Sequence, residues 1–66
     1  MKFCDKEIQD HLLKGGKIIN SRLAYPLFFD EYDRLSYQPS YDKIIHYSLS
    51  RKDLKSNSWK VVMPDF

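Results

Sequence analysis

Residues 48–62 read "SLSRKDLKSNSWKVV". Ser50 and Asp53 have the Ser-x-x-Asp spacing of a capping box, in which each side chain satisfies a backbone amide that a helix start leaves open. Leu49 and Leu54 fall at the two positions of a hydrophobic staple, one before the cap and one in the helix. Two independent signals within six residues therefore predict a helix of one or two turns beginning at Arg51. Asn57 suits a left-handed stop. The segment "WKVVM" that follows is β-branched behind an aromatic and reads as a strand, with Pro64 as its end. A capped turn of helix passing straight into a strand places the chain in the α+β class.

Working outward, "CDKEIQDHLLKGGK" at residues 4–17 predicts a first helix of about ten residues. Ile8 and Leu12 are four apart, with Leu13 alongside, which gives one apolar face. Asp5 is the chemically better N-cap, because its carboxylate can accept the free amides of the first turn. With Cys4 as the cap instead, Phe3 and Ile8 take the staple positions. Asp5 and Glu7 at the start and Lys14 at the end match the helix dipole. Gly15-Gly16 stops the helix, one glycine taking the left-handed position.

The middle of the chain carries the strands. "KIINSR" is short and β-branched, and "AYPLFFD" is aromatic with Pro26 near its start. "DEYD" at 30–33 reads as a polar turn and 34–37 as the return strand, with Leu35 and Tyr37 on one face. "QPSYDK" at 38–43 reads as a loop and "IIHY" as a further strand. The expected fold is an N-terminal helix, a small antiparallel sheet of four to five strands, and a short capped helix before the last strand. Residues 1–66 form a single domain.

A chain of 66 residues buries only about 60% of the surface its unfolded form exposes, so stability is marginal. Domains of this size usually need a disulfide, a metal or a partner subunit. Cys4 is the only cysteine, so no intrachain disulfide is available. Cys4, His11 and His46 lack zinc-ligand spacing. Self-association or unusually good packing is what remains. No stretch nears the roughly 20 apolar residues of a membrane span. The start "MKFCDKEIQD" lacks the apolar region of a signal peptide, and a lone cysteine suits a reducing cytoplasm. The net charge of +2 arises from 11 cations mixed among 9 anions, which describes a solvated surface rather than a nucleic-acid footprint.

The sequence shows no glycine-rich phosphate loop, since no helix follows Gly15-Gly16 to present its N-terminus. No nucleophile set stands out: Cys4 reads as a small apolar residue and the histidines as surface or edge groups. Asp30, Glu31 and Asp33 lack calcium-loop spacing and read as a solvated hairpin tip. The class expected is a small binding protein rather than an enzyme, with no catalytic residue, cofactor or metal. The aromatic load is one Trp, five Tyr and four Phe. Phe28 and Phe29 read as core, as does Trp59. Five tyrosine hydroxyls are more than a small core can pair, so several must face outward. Beside Arg22 and Arg34, such tyrosines suit stacking on a nucleobase or the anchors of a protein interface.

The ending "LSRKDLKSNSWKVV" and the start "KGGKIINSRLAYP" together resemble a small bacteriophage family, the second Thoeris anti-defence type (Tad2-like). In that family Leu-Ser/Thr-x-x-Asp-Leu precedes a Trp and a Val-Val strand, and Gly-Gly-Lys precedes a β-branched strand, an arginine and an aromatic. Arg22 and Tyr25 hold the arginine and aromatic places, and "LFFDEYDRLSY" is similar to the family's hairpin. The resemblance implies a protein that binds a cyclic nucleotide or cyclic ADP-ribose-type immune signal without cleaving it, as a homo-oligomer in the cytoplasm of an infected bacterium. Arg22, Tyr25, Tyr37 and Tyr47 are the expected ligand-binding residues, the rings holding a base and the arginine a diphosphate. Tyr25 replaces the family's tryptophan, which keeps a stacking face. Ser58 replaces the acidic residue before the final tryptophan, which removes a carboxylate suited to ribose hydroxyls. The chain is also shorter than typical members. The alternative is an anti-CRISPR type of inhibitor, blocking a host defence nuclease complex by direct contact through Asp30, Glu31, Asp33, Tyr32 and Tyr41, with Asp42 nearby. Neither reading requires membrane or direct nucleic-acid contact.

Overall fold

The protein is described here from a computed structural model over residues 1–63. Helix α1 spans Lys6–Leu13, followed by strands β1 (Lys17–Asn20), β2 (Phe28–Phe29), β3 (Leu35–Ser40) and β4 (Lys43–His46), helix α2 (Arg51–Lys55) and strand β5 (Trp59–Val62). This is the expected α+β arrangement. The strands form an antiparallel pair β1–β5 and an antiparallel three-stranded sheet β2–β3–β4. A bridge between Ile18 and Leu27 joins the two sheets, with backbone bonds of 2.9 and 2.7 Å in the two directions. The spatial order is thus β5–β1–β2–β3–β4. Pro64, expected as the end of the last strand, lies outside the described residues.

Helix α1 buries Ile8 and Leu12 against the sheets, while Leu13 is 75% exposed. The apolar stripe is therefore narrower than the sequence suggests, because Leu13 lies one residue, about 100°, around the helix from Leu12. Asp5 is the N-cap, but its carboxylate makes no capping bond. It accepts the Lys2 amide at 2.9 Å instead. Cys4 is exposed rather than packed. The C-terminus closes as a Schellman motif: Gly15 has φ +84°, and the Gly15 and Gly16 amides bond to the Leu12 and His11 carbonyls at 3.0 and 2.9 Å. Gly16 is required for a different reason. A Cβ there would sit 2.4 Å from His11 Nε2.

The core is Ile8, Leu12, Ile18, Leu27, Leu35 and Trp59. Each such side chain contributes roughly 1.5–3 kcal/mol of burial. Trp59 is fully buried, packs edge-on to Phe3 with centroids 5.4 Å apart, and donates its indole N–H to the Asp53 carbonyl at 2.9 Å. That places the tryptophan where the sequence put it. Phe29 packs on the core, but Phe28 does not. Successive strand residues face opposite sides, and Phe28 takes the outer one, under the Lys17 ammonium at 5.7 Å.

Two expectations about local structure are overturned. The segment 38–43 is not a loop: β3 runs on to Ser40 and turns through Tyr41-Asp42 into β4, with Ser40 opposite Lys43. Pro39 disguises this in the sequence. It lies where the β3–β4 register shifts, between Tyr37 and Ser40. β2 is only two residues long, so this part of β3 is paired on one side alone, where a proline is tolerated. Asn57 is not left-handed, since Asp33 is the only non-glycine with positive φ among the described residues. Helix α2 ends instead on extended Ser56.

Candidate functional site: a tyrosine concavity backed by Asp53

The capping box forms as read. The Ser50 hydroxyl accepts the Asp53 amide at 3.2 Å, and Asp53 Oδ2 accepts the Ser50 amide at 2.9 Å. The same Oδ2 accepts the Tyr47 hydroxyl at 2.7 Å. Oδ1 stands 4.0 Å from an Arg22 Nη, with Arg22 half-exposed and the carboxylate 4% exposed. Burial pushes the Asp53 carboxyl upward. The Ser50 amide, the Tyr47 and Ser50 hydroxyls and the Arg22 charge outweigh that and hold it below its usual value. Tyr47 moves the other way: desolvation first, then the hydrogen bond and charge of Asp53, push its phenol up to about 12.

Arg22 is set by a turn built on Asn20. The buried Asn20 side chain accepts the Arg22 amide at 3.1 Å and donates to the Ser56 hydroxyl at 3.0 Å. Its carbonyl accepts the Leu23 amide at 2.9 Å. Tyr25 follows on the same β1–β2 connection, Tyr37 comes from β3, and Tyr47 follows β4, anchored by its amide on the Leu35 carbonyl at 2.8 Å. Tyr25 and Tyr37 stack nearly parallel, 5.9 Å apart and 12° inclined. Tyr37 meets Tyr47 edge-on at 6.3 Å and 77°. With Leu23, Ala24 and Leu27 the three rings line an open concavity of about 270 Å³.

The structure thus brings Tyr25, Tyr37 and Tyr47 together and links Arg22 to them through Asp53. Sequence reading assigned Asp53 to the helix cap and missed its second task, holding Tyr47 and Arg22. A Ser-x-x-Asp box whose acid is buried gives no sign in sequence of a third partner.

Of the alternative site's residues, Asp30, Glu31, Tyr32 and Asp33 share one turn and Tyr41 lies apart from them. Asp30 is turned inward, its side chain 6% exposed with Arg34 Nε at 3.4 Å. It accepts the Tyr32 and Arg34 amides at 2.9 and 3.0 Å and the Ser36 hydroxyl at 3.0 Å. The Arg34 amide, with the Tyr32 amide, the Ser36 hydroxyl and the Arg34 charge adding to it, lowers the Asp30 carboxyl below its usual value against the opposing effect of desolvation. Glu31, Tyr32 and Asp33 are exposed on this turn, where the Arg34 guanidinium lies 5.1 Å over the Tyr32 ring. Tyr41, 97% exposed, and Asp42 sit at the other end of β3. Six residues of strand separate them from the turn, about 20 Å at the usual rise.

A larger concavity of about 580 Å³ lies between the end of α1 and Val62-Met63, beside His11 and Lys17. It contains none of the expected site residues. Among the described residues no group of three or more His, Cys, Asp or Glu side chains is placed to hold a metal ion, and no helix is long and apolar enough to cross a membrane.

Compared with protein-family models, with curated proteins and with solved structures, the chain matches none.

Proposed function

We propose that this protein binds a small signalling molecule of the cyclic nucleotide or cyclic ADP-ribose type and holds it uncleaved, acting as a phage anti-defence protein in the cytoplasm of the infected bacterium. One observation carries the reading. Three tyrosines from three separate segments converge on one concavity, with Arg22 joined to it through Asp53. The ligand class comes from the sequence resemblance, and the concavity fits it in kind: aromatic faces stack on bases without regard to sequence, and a guanidinium suits phosphate oxygens. At about 270 Å³ the concavity is smaller than the roughly 300–1,000 Å³ of most ligand sites. It takes one planar ring, and the remainder of the ligand lies outside it, toward Arg22. Tyr25, 42% exposed, offers its outer face as the platform. Arg22 is half-exposed and stands a long 4.0 Å from the buried Asp53, which keeps its bonds to Tyr47 and Ser50 without it, so the guanidinium is free to swing to a phosphate.

The test is native mass spectrometry of the protein with a panel of cyclic nucleotide and cyclic ADP-ribose signals. The expected result is an adduct of the intact signal mass, lost in Tyr25→Ala and Arg22→Ala and kept in Glu31→Ala and Tyr32→Ala. No adduct across the panel, or loss confined to the turn variants, overturns the reading. The inhibitor reading, blocking a defence nuclease complex, has less support, because its acidic turn is partly spent on Asp30's own hydrogen bonds. Co-purification of a nuclease complex in place of an adduct would favour it.

A further inference from the structure

The three-stranded sheet carries a second hollow, on the face away from the tyrosines. Phe28, Ser36 and His46 stand opposite one another across β2, β3 and β4, so their side chains share one face. Tyr37 and Ile45 pair on the other face. Ile44 lies two residues before His46 and joins the outer face. There Phe28, Glu31, Tyr32, Arg34, Ile44 and His46 border a concavity of about 520 Å³, which falls within the roughly 300–1,000 Å³ of most ligand sites.

The hollow holds an arginine in a fixed pose. The Arg34 amide donates to Asp30 Oδ1 at 3.0 Å, its Nε stands 3.4 Å from Asp30 Oδ2, and its guanidinium lies 5.1 Å over the Tyr32 ring. Asp30 is itself fixed by the Tyr32 amide and the Ser36 hydroxyl. With Nε turned to Asp30, the two Nη groups remain as a planar donor pair, and Asp30 is the guanidinium's only ion-pair partner among the described residues. Such a pair matches a carboxylate. Glu31, exposed on the same turn, brings a negative charge to the border. Arg34 and the Lys17 ammonium over Phe28 balance Asp30 and Glu31, so the hollow is neutral as a whole. A neutral site with one cationic and one anionic group at its border suits a zwitterion.

The other side of the hollow supplies apolar surface and one acceptor. Phe28 offers a ring face, and Ile44 is 56% exposed. His46 Nδ1 lies 3.0 Å from the Leu35 carbonyl, which can only accept. Nδ1 therefore carries the proton, and neutral Nε2 keeps a lone pair for an N–H donor. We propose that this hollow binds a free aromatic α-amino acid of the tryptophan type. Its carboxylate lies on Arg34, its ammonium faces Glu31, its ring packs on Phe28 and Ile44, and its ring N–H meets His46 Nε2.

This site does not rest on the cyclic-signal reading, and the experiment separates the two. Amide NMR spectra of the labelled protein are recorded during titration with L-tryptophan, tryptamine, indole-3-propionate and 1-methyl-L-tryptophan. The last three lack the carboxylate, the ammonium and the ring N–H in turn. The expected result is saturable shifting of the Tyr32, Arg34 and His46 amides by L-tryptophan, with each analogue weaker by about tenfold or more, the scale of a lost charge-assisted hydrogen bond. Arg34→Gln weakens binding by a similar factor. Ile44→Glu does the same from an exposed position where the fold is not at stake, and so keeps the test decisive should Arg34→Gln disturb the turn. Tyr25→Ala leaves L-tryptophan binding unchanged while it removes the cyclic-signal adduct. No saturable shift, shifts centred on Tyr25 and Tyr37 instead, analogues that bind as tightly as L-tryptophan, or full binding in Ile44→Glu overturns the proposal.

Discussion

The Tyr47 hydroxyl and the Ser50 amide share one acceptor, Asp53 Oδ2, at 2.7 and 2.9 Å. A single carboxylate oxygen therefore closes the cap of α2 and fixes one wall of the tyrosine concavity. The order of the second helix and the shape of the site are coupled through that atom.

Replacing Tyr47 by Phe removes a hydrogen bond to a charged acceptor. Such bonds contribute roughly 1.5–3 kcal/mol, and a loss in this range is expected in urea unfolding. The substitution also removes a tyrosinate step near pH 12 from the ultraviolet titration, because the Tyr47 phenol is raised to about 12. Its sign in stability is that of a raised group. The contribution is complete below the unfolded value near 10 and is lost as pH climbs through about 12.

Asp53 works in the opposite direction. Its native carboxyl is lowered, so the stability it supplies is present above the unfolded value, about 3.9, and is lost as pH falls through the lower native one. Thermal unfolding of Asp53→Asn measured from pH 7 to pH 2 is expected to start lower and to fall less steeply in acid than that of the unmodified chain. Equal acid slopes in the two proteins would contradict this assignment.

The two halves of the α2 entry separate by exposure. Ser50→Ala removes a capping hydroxyl and is expected to cost about 1 kcal/mol. Leu54, placed by its spacing at a staple position, is 45% exposed. Leu54→Ala is therefore expected within about 0.5 kcal/mol of neutral. Chemical denaturation of both variants checks the order.

Gly16 supplies a steric test. A methyl group at this position collides with the His11 ring, whose Nε2 is 2.4 Å from the ideal Cβ. Gly16→Ala is expected to lower the melting temperature, and His11→Ala in the same chain to recover part of the loss. Additive effects in the double-mutant cycle would show that the two positions do not meet.

Much of the fold was legible because its signals are local. The capping box at Ser50 and Asp53, the glycine pair after α1 and the alternation of Leu35 and Tyr37 act over two to six residues, and their physics is complete within the segment. Segment 38–43 failed because a proline reads as a strand breaker unless the neighbouring strands are known. Cys4, Leu13 and Phe28 failed because hydrophobic character does not say which side of an element is covered.

The candidate site divides along the same line. Residue type showed only that several tyrosines must face outward, since more hydroxyls were present than a core can satisfy, and the family resemblance is what singled out Arg22, Tyr25, Tyr37 and Tyr47. Their meeting depends on contacts between the β1–β2 connection, β3 and the segment after β4, and on Asp53 joining Arg22 to Tyr47. By itself the sequence determined the two helices, their starts, the glycine stop of α1 and the burial of Trp59, because capping, glycine geometry and apolar periodicity are short-range. Only the tertiary structure decided that Asp30 turns inward, that Tyr41 stands an entire strand away from it, and that the four β4 residues are exposed while Met1 lies along β5. Those outcomes follow from which strands lie side by side, a property of the packed chain rather than of any one segment.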